Sequence, residues 1–118
     1  MPIATPEQLR QHLALAIGVE LTTVPPYLYA MYSIEDQTSE AALLIKSVVA
    51  EEMLHAALVA NLLTAVGGQP DFSDPGLLPT YPGLLPHHAP PLMINLAPAS
   101  PELVRDVFMV IEEPEAPG

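Results

Sequence analysis

Glu52 and His55 stand three residues apart, a spacing that stacks a carboxylate and an imidazole one turn apart on one face of a helix. Carboxylate-bridged dimetal bundles take ligands from pairs of this Glu-x-x-His form. Alone the pair is a weak motif, since the same spacing occurs on solvated faces and can end in a buried Glu–His hydrogen bond. Glu20 adds a second line of argument. The midpoint of residues 20 and 52 is 36, and that of 20 and 55 lies between 37 and 38, both within the polar stretch Glu35-Asp36-Gln37-Thr38-Ser39. Two antiparallel helices joined by that turn bring all three residues to one height, because one residue of register is worth only ~1.5 Å.

The elements that must hold these residues are legible. Thr5-Pro6-Glu7-Gln8 combines a Thr cap, Pro at the first helical position and a Gln placed to close a capping box. A helix is expected over 6–33, disturbed at Pro25-Pro26 where backbone bonds are lost. A second is expected over 40–66, stopped by Gly67-Gly68. Nine prolines between Pro70 and Pro101 exclude a helix or central strand over 69–99, yet Leu77, Leu78, Leu84, Leu85, Leu92, Met93, Ile94 and Leu96 argue for a strap lying on a surface. Ser100-Pro101-Glu102 opens a third helix, expected over 101–113. The whole of 1–118 is read as one domain.

At about 100° per residue, Glu20 falls in the middle of an apolar stripe of Leu9, Leu13, Ala16, Val24, Tyr27 and Met31. On the second helix the stripe is Ala41, Leu44, Val48, Val59, Leu62 and Val66, with Glu52 and His55 within about 40° of its centre and Lys46 nearly opposite. Burying a bare carboxylate is costly unless it is paired, protonated or metal-bound. Basic partners are scarce: Arg10, Lys46 and Arg105 face fourteen acids, for a net charge of −11. Metal ligation is therefore the economical reading. Glu112 borders the apolar stripe of the third helix and is the candidate for a further ligand, whereas Glu113 points well away; Glu51 lies on the flank of the second helix's stripe, facing solvent or backing the ligands. Tyr27, Tyr29 and Tyr32 are read as packing residues, His12 as a flank residue, and His87 and His88 as strap residues that solvate more readily than they ligate.

The acidity disfavours nucleic acid and anionic lipid. The absence of cysteine excludes disulfides, thiolate metal sites and a cysteine nucleophile. The N-terminus lacks the regions of a signal peptide, and no apolar run approaches the ~20 residues that span a bilayer, so a cytoplasmic protein is expected.

The blocks Glu20-Leu-Thr-Thr-Val-Pro-Pro-Tyr-Leu-Tyr-Ala-Met-Tyr-Ser, Val49-Ala-Glu-Glu-Met-Leu-His through Gly67-Gly-Gln-Pro70, and Phe108-Met-Val-Ile-Glu-Glu-Pro resemble the ferritin-like domain of the iminophenyl-pyruvate dimer synthase family. That family includes enzymes of violacein- and rebeccamycin-type biosynthesis, and the likeness runs from Leu9 to Glu115. It implies an all-α ferritin-like bundle with Glu20, Glu52, His55 and Glu112 at metal-ligand positions, iron as the metal, and a di-iron oxidase acting in oxidative coupling of imino acids. Manganese and zinc suit the same ligands. The alternative is a non-catalytic metal-binding or helical interaction module. A ferritin-like bundle has a fourth helix and a second ligand set that this sequence lacks. Its completion is expected from a longer protein or a partner chain; two identical hairpins restore two Glu and two Glu-x-x-His units.

Overall fold

The computed structural model describes residues 2–75, 79–86 and 88–114. Helix α1, Pro6–Ser33, starts with the capping box that its sequence encodes: Thr5 accepts from the Gln8 amide while the Gln8 side chain accepts from Thr5. Helix α2, Glu40–Ala65, is capped by Ser39, and the connecting turn is tied by Gln37 donating to the Met31 and Ile34 carbonyls. At its far end Gly67 takes φ 89°, and Gly67 and Gly68 donate to the Thr64 and Leu63 carbonyls. This is a Schellman closure, and the left-handed backbone at Gly67 is why glycine stands there. Arg10 of α1 reaches across to the Val66 carbonyl at 3.1 Å, fastening the base of the hairpin.

Prolines 25 and 26 lie inside α1, and the helix runs through them. Pro26 has no N–H to give the Thr22 carbonyl, which a regular helix would bond from residue 26. The strap supplies the missing donor: the Tyr81 hydroxyl reaches the Thr22 carbonyl at 2.5 Å. A second tie, from the Ala99 amide to the Ser33 hydroxyl, holds the other end of the strap on the same helix. Between them the strap forms a small antiparallel ladder, β1 (Gly83–Leu84) and β2 (Met93–Ile94), which the proline density did not lead us to expect. Two-residue strands fit between the prolines where a longer one would not. Leu85 and Ile94 are buried beneath the strap, whereas Leu84, Met93 and Leu96 are exposed. Leu77, Leu78 and His87 lie outside the described residues.

The last helical segment, α3, spans 101–111. It is α-helical at Pro101–Leu103, π-helical at Val104–Phe108 and α-helical again at Met109–Ile111. It therefore ends before the expected residue 113, and its wide middle turn shifts side-chain phase in a way that a regular wheel does not anticipate. Phe108 packs with Val24, Tyr27, Ala30 and Val49, its ring 4.5 Å from that of Tyr27. A second cluster, Ile17 with Ala60 and Leu63, lies toward the open end of the hairpin.

Three expectations are corrected. The face of α2 turned to α1 centres on Ala42, Val49, Glu52, Ala56, Ala60 and Leu63; of the expected stripe Val48 and Val59 pack partly against the core and Val66 is half-buried, while Ala41, Leu44 and Leu62 are exposed. Helix α2 is apolar on nearly all sides; Ala42, Ala56 and Ala60 let α1 approach closely, while Leu43, Leu44, Leu54, Leu58 and Leu62 are exposed. Tyr29 and Tyr32 do not pack but are exposed, Tyr32 to 71%. By length and composition alone α1 is apolar enough to cross a bilayer, contrary to the sequence reading, although a core helix passes the same test.

The Tyr81–Thr22 bond predicts that Tyr81→Phe lowers stability. Thr22 is buried, and leaving its carbonyl without a donor should cost about 1–2 kcal/mol in chemical denaturation. An unchanged midpoint would show that the tie contributes nothing.

Candidate metal centre

Glu20 lies mid-way along α1, and Glu52 and His55 lie one turn apart on α2, level with it. The hairpin register converts sequence distance into contact. His55 Nδ1 stands 3.6 Å from Glu20 Oε2 and 3.9 Å from Glu52 Oε2. One donor atom from each of the three residues falls within 4.8 Å of the others. Donors around one zinc- or iron-sized ion are at most ~4.4 Å apart, twice a ligand bond of about 2.2 Å, so a small rotamer adjustment closes the set. The chemistry also fits, since two carboxylates and an imidazole suit iron, manganese or zinc.

The electrostatics show a site held together against its own charge. Glu52 is only 6% exposed. Burial first, then the neighbouring Glu20 carboxylate, push its pKa up to about 7, with Glu112 and His55 opposing the rise. No lysine or arginine offsets this. Arg10 is spent on the Val66 carbonyl, Arg105 pairs with Asp106, and Lys46 is exposed; among the described residues Glu20 and Glu52 form ion pairs with His55 alone.

Glu112 joins the group from α3. Its Oε1 accepts a 2.7 Å bond from the Tyr27 hydroxyl, and its carboxylate is near enough to Glu52 for each to feel the other's charge. Burial raises the Glu112 pKa, with the Tyr27 bond pulling the other way. Tyr27, read from sequence as core, is core and also a clamp on a carboxylate. Its phenol is raised above the ordinary range by burial, the Glu112 bond and the nearby carboxylates. The signal available in the sequence was its position two turns from Glu20 on the same stripe. Glu112 is not one of the three donors that already converge, because it sits at the end of α3 behind the π-helical turn.

Other candidates are elsewhere. Glu51, His12 and Glu113 are exposed, and His88 Nδ1 engages the Pro90 carbonyl 2.7 Å away. An apolar cavity of about 220 Å³ opens beside Glu112, walled by Tyr27, Leu44, Val48, Val104, Phe108 and Met109.

A helical hairpin that holds acidic and imidazole donors together at mid-height is an arrangement that carboxylate-bridged metal bundles use, and the three donors could hold a metal ion. A family profile described as Ferritin-like matches residues 13–117, and the chain belongs to that family. Neither the comparison with curated proteins nor that with solved structures returns a match.

The pH dependence of the metal-free protein follows from Glu52. Its folded pKa lies above its ordinary 4.5, so the protonated form is the one folding favours. That contribution is full below about 4.5 and is lost as pH rises through about 7. In chelator, the stability difference between the wild type and Glu52→Gln should change in the variant's favour as pH rises across this window. A pH-independent difference would contradict the assignment.

Proposed function

We propose that this chain is a metal-binding protein of the ferritin-like family in which Glu20, Glu52 and His55 ligate a transition metal and Glu112 joins them. The observation that carries the reading is the convergence of three donors, two of them carboxylates, in a core that supplies no lysine or arginine to neutralise them. A divalent ion is the partner that balances the charge. Glu52 holds the inner position, Glu20 and His55 close on it from either helix, and Tyr27 keeps the Glu112 carboxylate turned toward Glu52. Iron is the metal we assign. When bound to carboxylate and imidazole ligands with positions left open, it supplies redox chemistry with dioxygen.

The finer reading is an oxidase, with oxidative coupling of imino acids as the reaction and the cytoplasm as the setting. It is supported by the resemblance of the Pro-Pro-Tyr, Glu-Met-Leu-His and Gly-Gly-Gln-Pro blocks to the iminophenyl-pyruvate dimer synthase family. The competing reading is a metal-binding module without turnover.

Elemental analysis of protein purified without chelator should find iron, manganese or zinc. Glu52→Ala should abolish that content while Glu113→Ala leaves it intact. Uptake should weaken as pH falls below about 7, where Glu52 takes up a proton in competition with the metal. A metal-free protein that cannot be loaded, or a Glu52→Ala variant with unchanged stoichiometry, would sink the site. Oxygen consumption by the ferrous form separates the oxidase from the passive binder.

A further inference from the structure

Helix α2 has a second apolar face that this chain covers only in part, at Val48, where α3 packs. Leu44, Val48, Glu51, His55, Leu58 and Leu62 follow one another in steps of four and three, the spacing of a coiled-coil seam. Leu44, Leu58 and Leu62 are 59%, 51% and 55% exposed, and the His55 side chain is 48% exposed. The seam lies roughly 130° around α2 from the alanine-rich face that contacts α1. Glu52 lies between those two directions and His55 on the inner flank of the seam. Both therefore point where the centre of a four-helix bundle would be if another helix lay along the seam.

The residue types along the seam name the occupant. Leu44 and Leu62, Val48 and Leu58, and Glu51 and His55 are each centred on residue 53. A second copy of α2 laid antiparallel about that point sets apolar residues against apolar ones and an acid against an imidazole. A two-fold interface requires this reciprocity, with each residue meeting a partner that meets it in return.

We propose that the chain forms a two-fold homodimer through this seam, and that the partner's Glu51 completes the histidine end of the metal site. His55 turns Nδ1 toward Glu20 and Glu52. Its other ring nitrogen then serves the partner's Glu51, which orients the imidazole as carboxylates do behind metal-ligating histidines. Residue 53 lies between Glu52 and His55, so the axis brings the two acidic clusters to the same height. Leu62 of the partner is level with Leu44, at the mouth of the apolar cavity beside Glu112. The pairing rests on the seam; only the role given to Glu51 rests on the metal reading.

The chain has no cysteine, which makes the register directly testable. In chelator, mixing Leu44→Cys with Leu62→Cys chains under diamide should give a covalent dimer, while either variant alone gives none. Light scattering should return twice the chain mass for the wild type, and Leu58→Asp should return it to one while Lys46→Asp does not. A monomeric wild type, or cross-linking of Leu44→Cys to itself, overturns the proposal. Because these measurements exclude metal, a metal site that fails leaves the dimer standing, and the reverse also holds. With the dimer in place, Glu51→Ala should weaken metal uptake about 10–100-fold without changing its mass; unchanged uptake removes Glu51 from the site.

Discussion

The structure depends on where a few carboxylates are placed relative to the charges that might answer them. Glu20 and Glu52 occupy positions on the inner faces of a helical hairpin, and Glu112 is brought to them by a third helix. The three basic side chains are engaged or directed elsewhere: at a helix end, on a neighbouring aspartate, and in solvent. The core thus carries an electrostatic cost that its own residues do not cancel. Burial and the neighbouring Glu20 carboxylate hold Glu52 above the ordinary carboxylate range.

Much of this arrangement was legible in the sequence because it rests on local rules. The capping box at Thr5, the Gly67 stop and the proline at the start of the third helix are short-range signals, and they placed the hairpin. Symmetry about the turn then set Glu20 level with Glu52 and His55 without any knowledge of packing. The all-α class follows from the same signals, and membership of the ferritin-like family agrees with it. The strap's ties to α1 were not legible, since the Tyr81–Thr22 bond spans 59 residues and leaves no periodic trace. Neither was the π-helical turn in α3, which no spacing rule in its sequence announces.

The misreading of α2 is informative for another reason. Helical phase alone centred the core face between Leu44 and Val59, whereas the hairpin buries Ala42, Val49, Ala56, Ala60 and Leu63 and leaves Leu44 and Leu62 outside. A helix that is apolar on nearly all sides has more than one face to cover. The stripe selected from sequence lies beside the buried face and is used only in part, through Val48 and Val59, and His55 stands on it. Glu52, between the two faces, satisfied both readings, which is why the site survived an error in the orientation of the helix that carries it.

One consequence follows from the hydroxyl that Tyr81 lends to the proline-interrupted turn of α1. The stretch from Thr22 to Tyr27 lies between Glu20 and the clamp on Glu112, and its backbone bonding is shared with a segment nearly sixty residues away. Helix and strap therefore gain and lose structure as one cooperative unit, because neither retains its full set of bonds without the other.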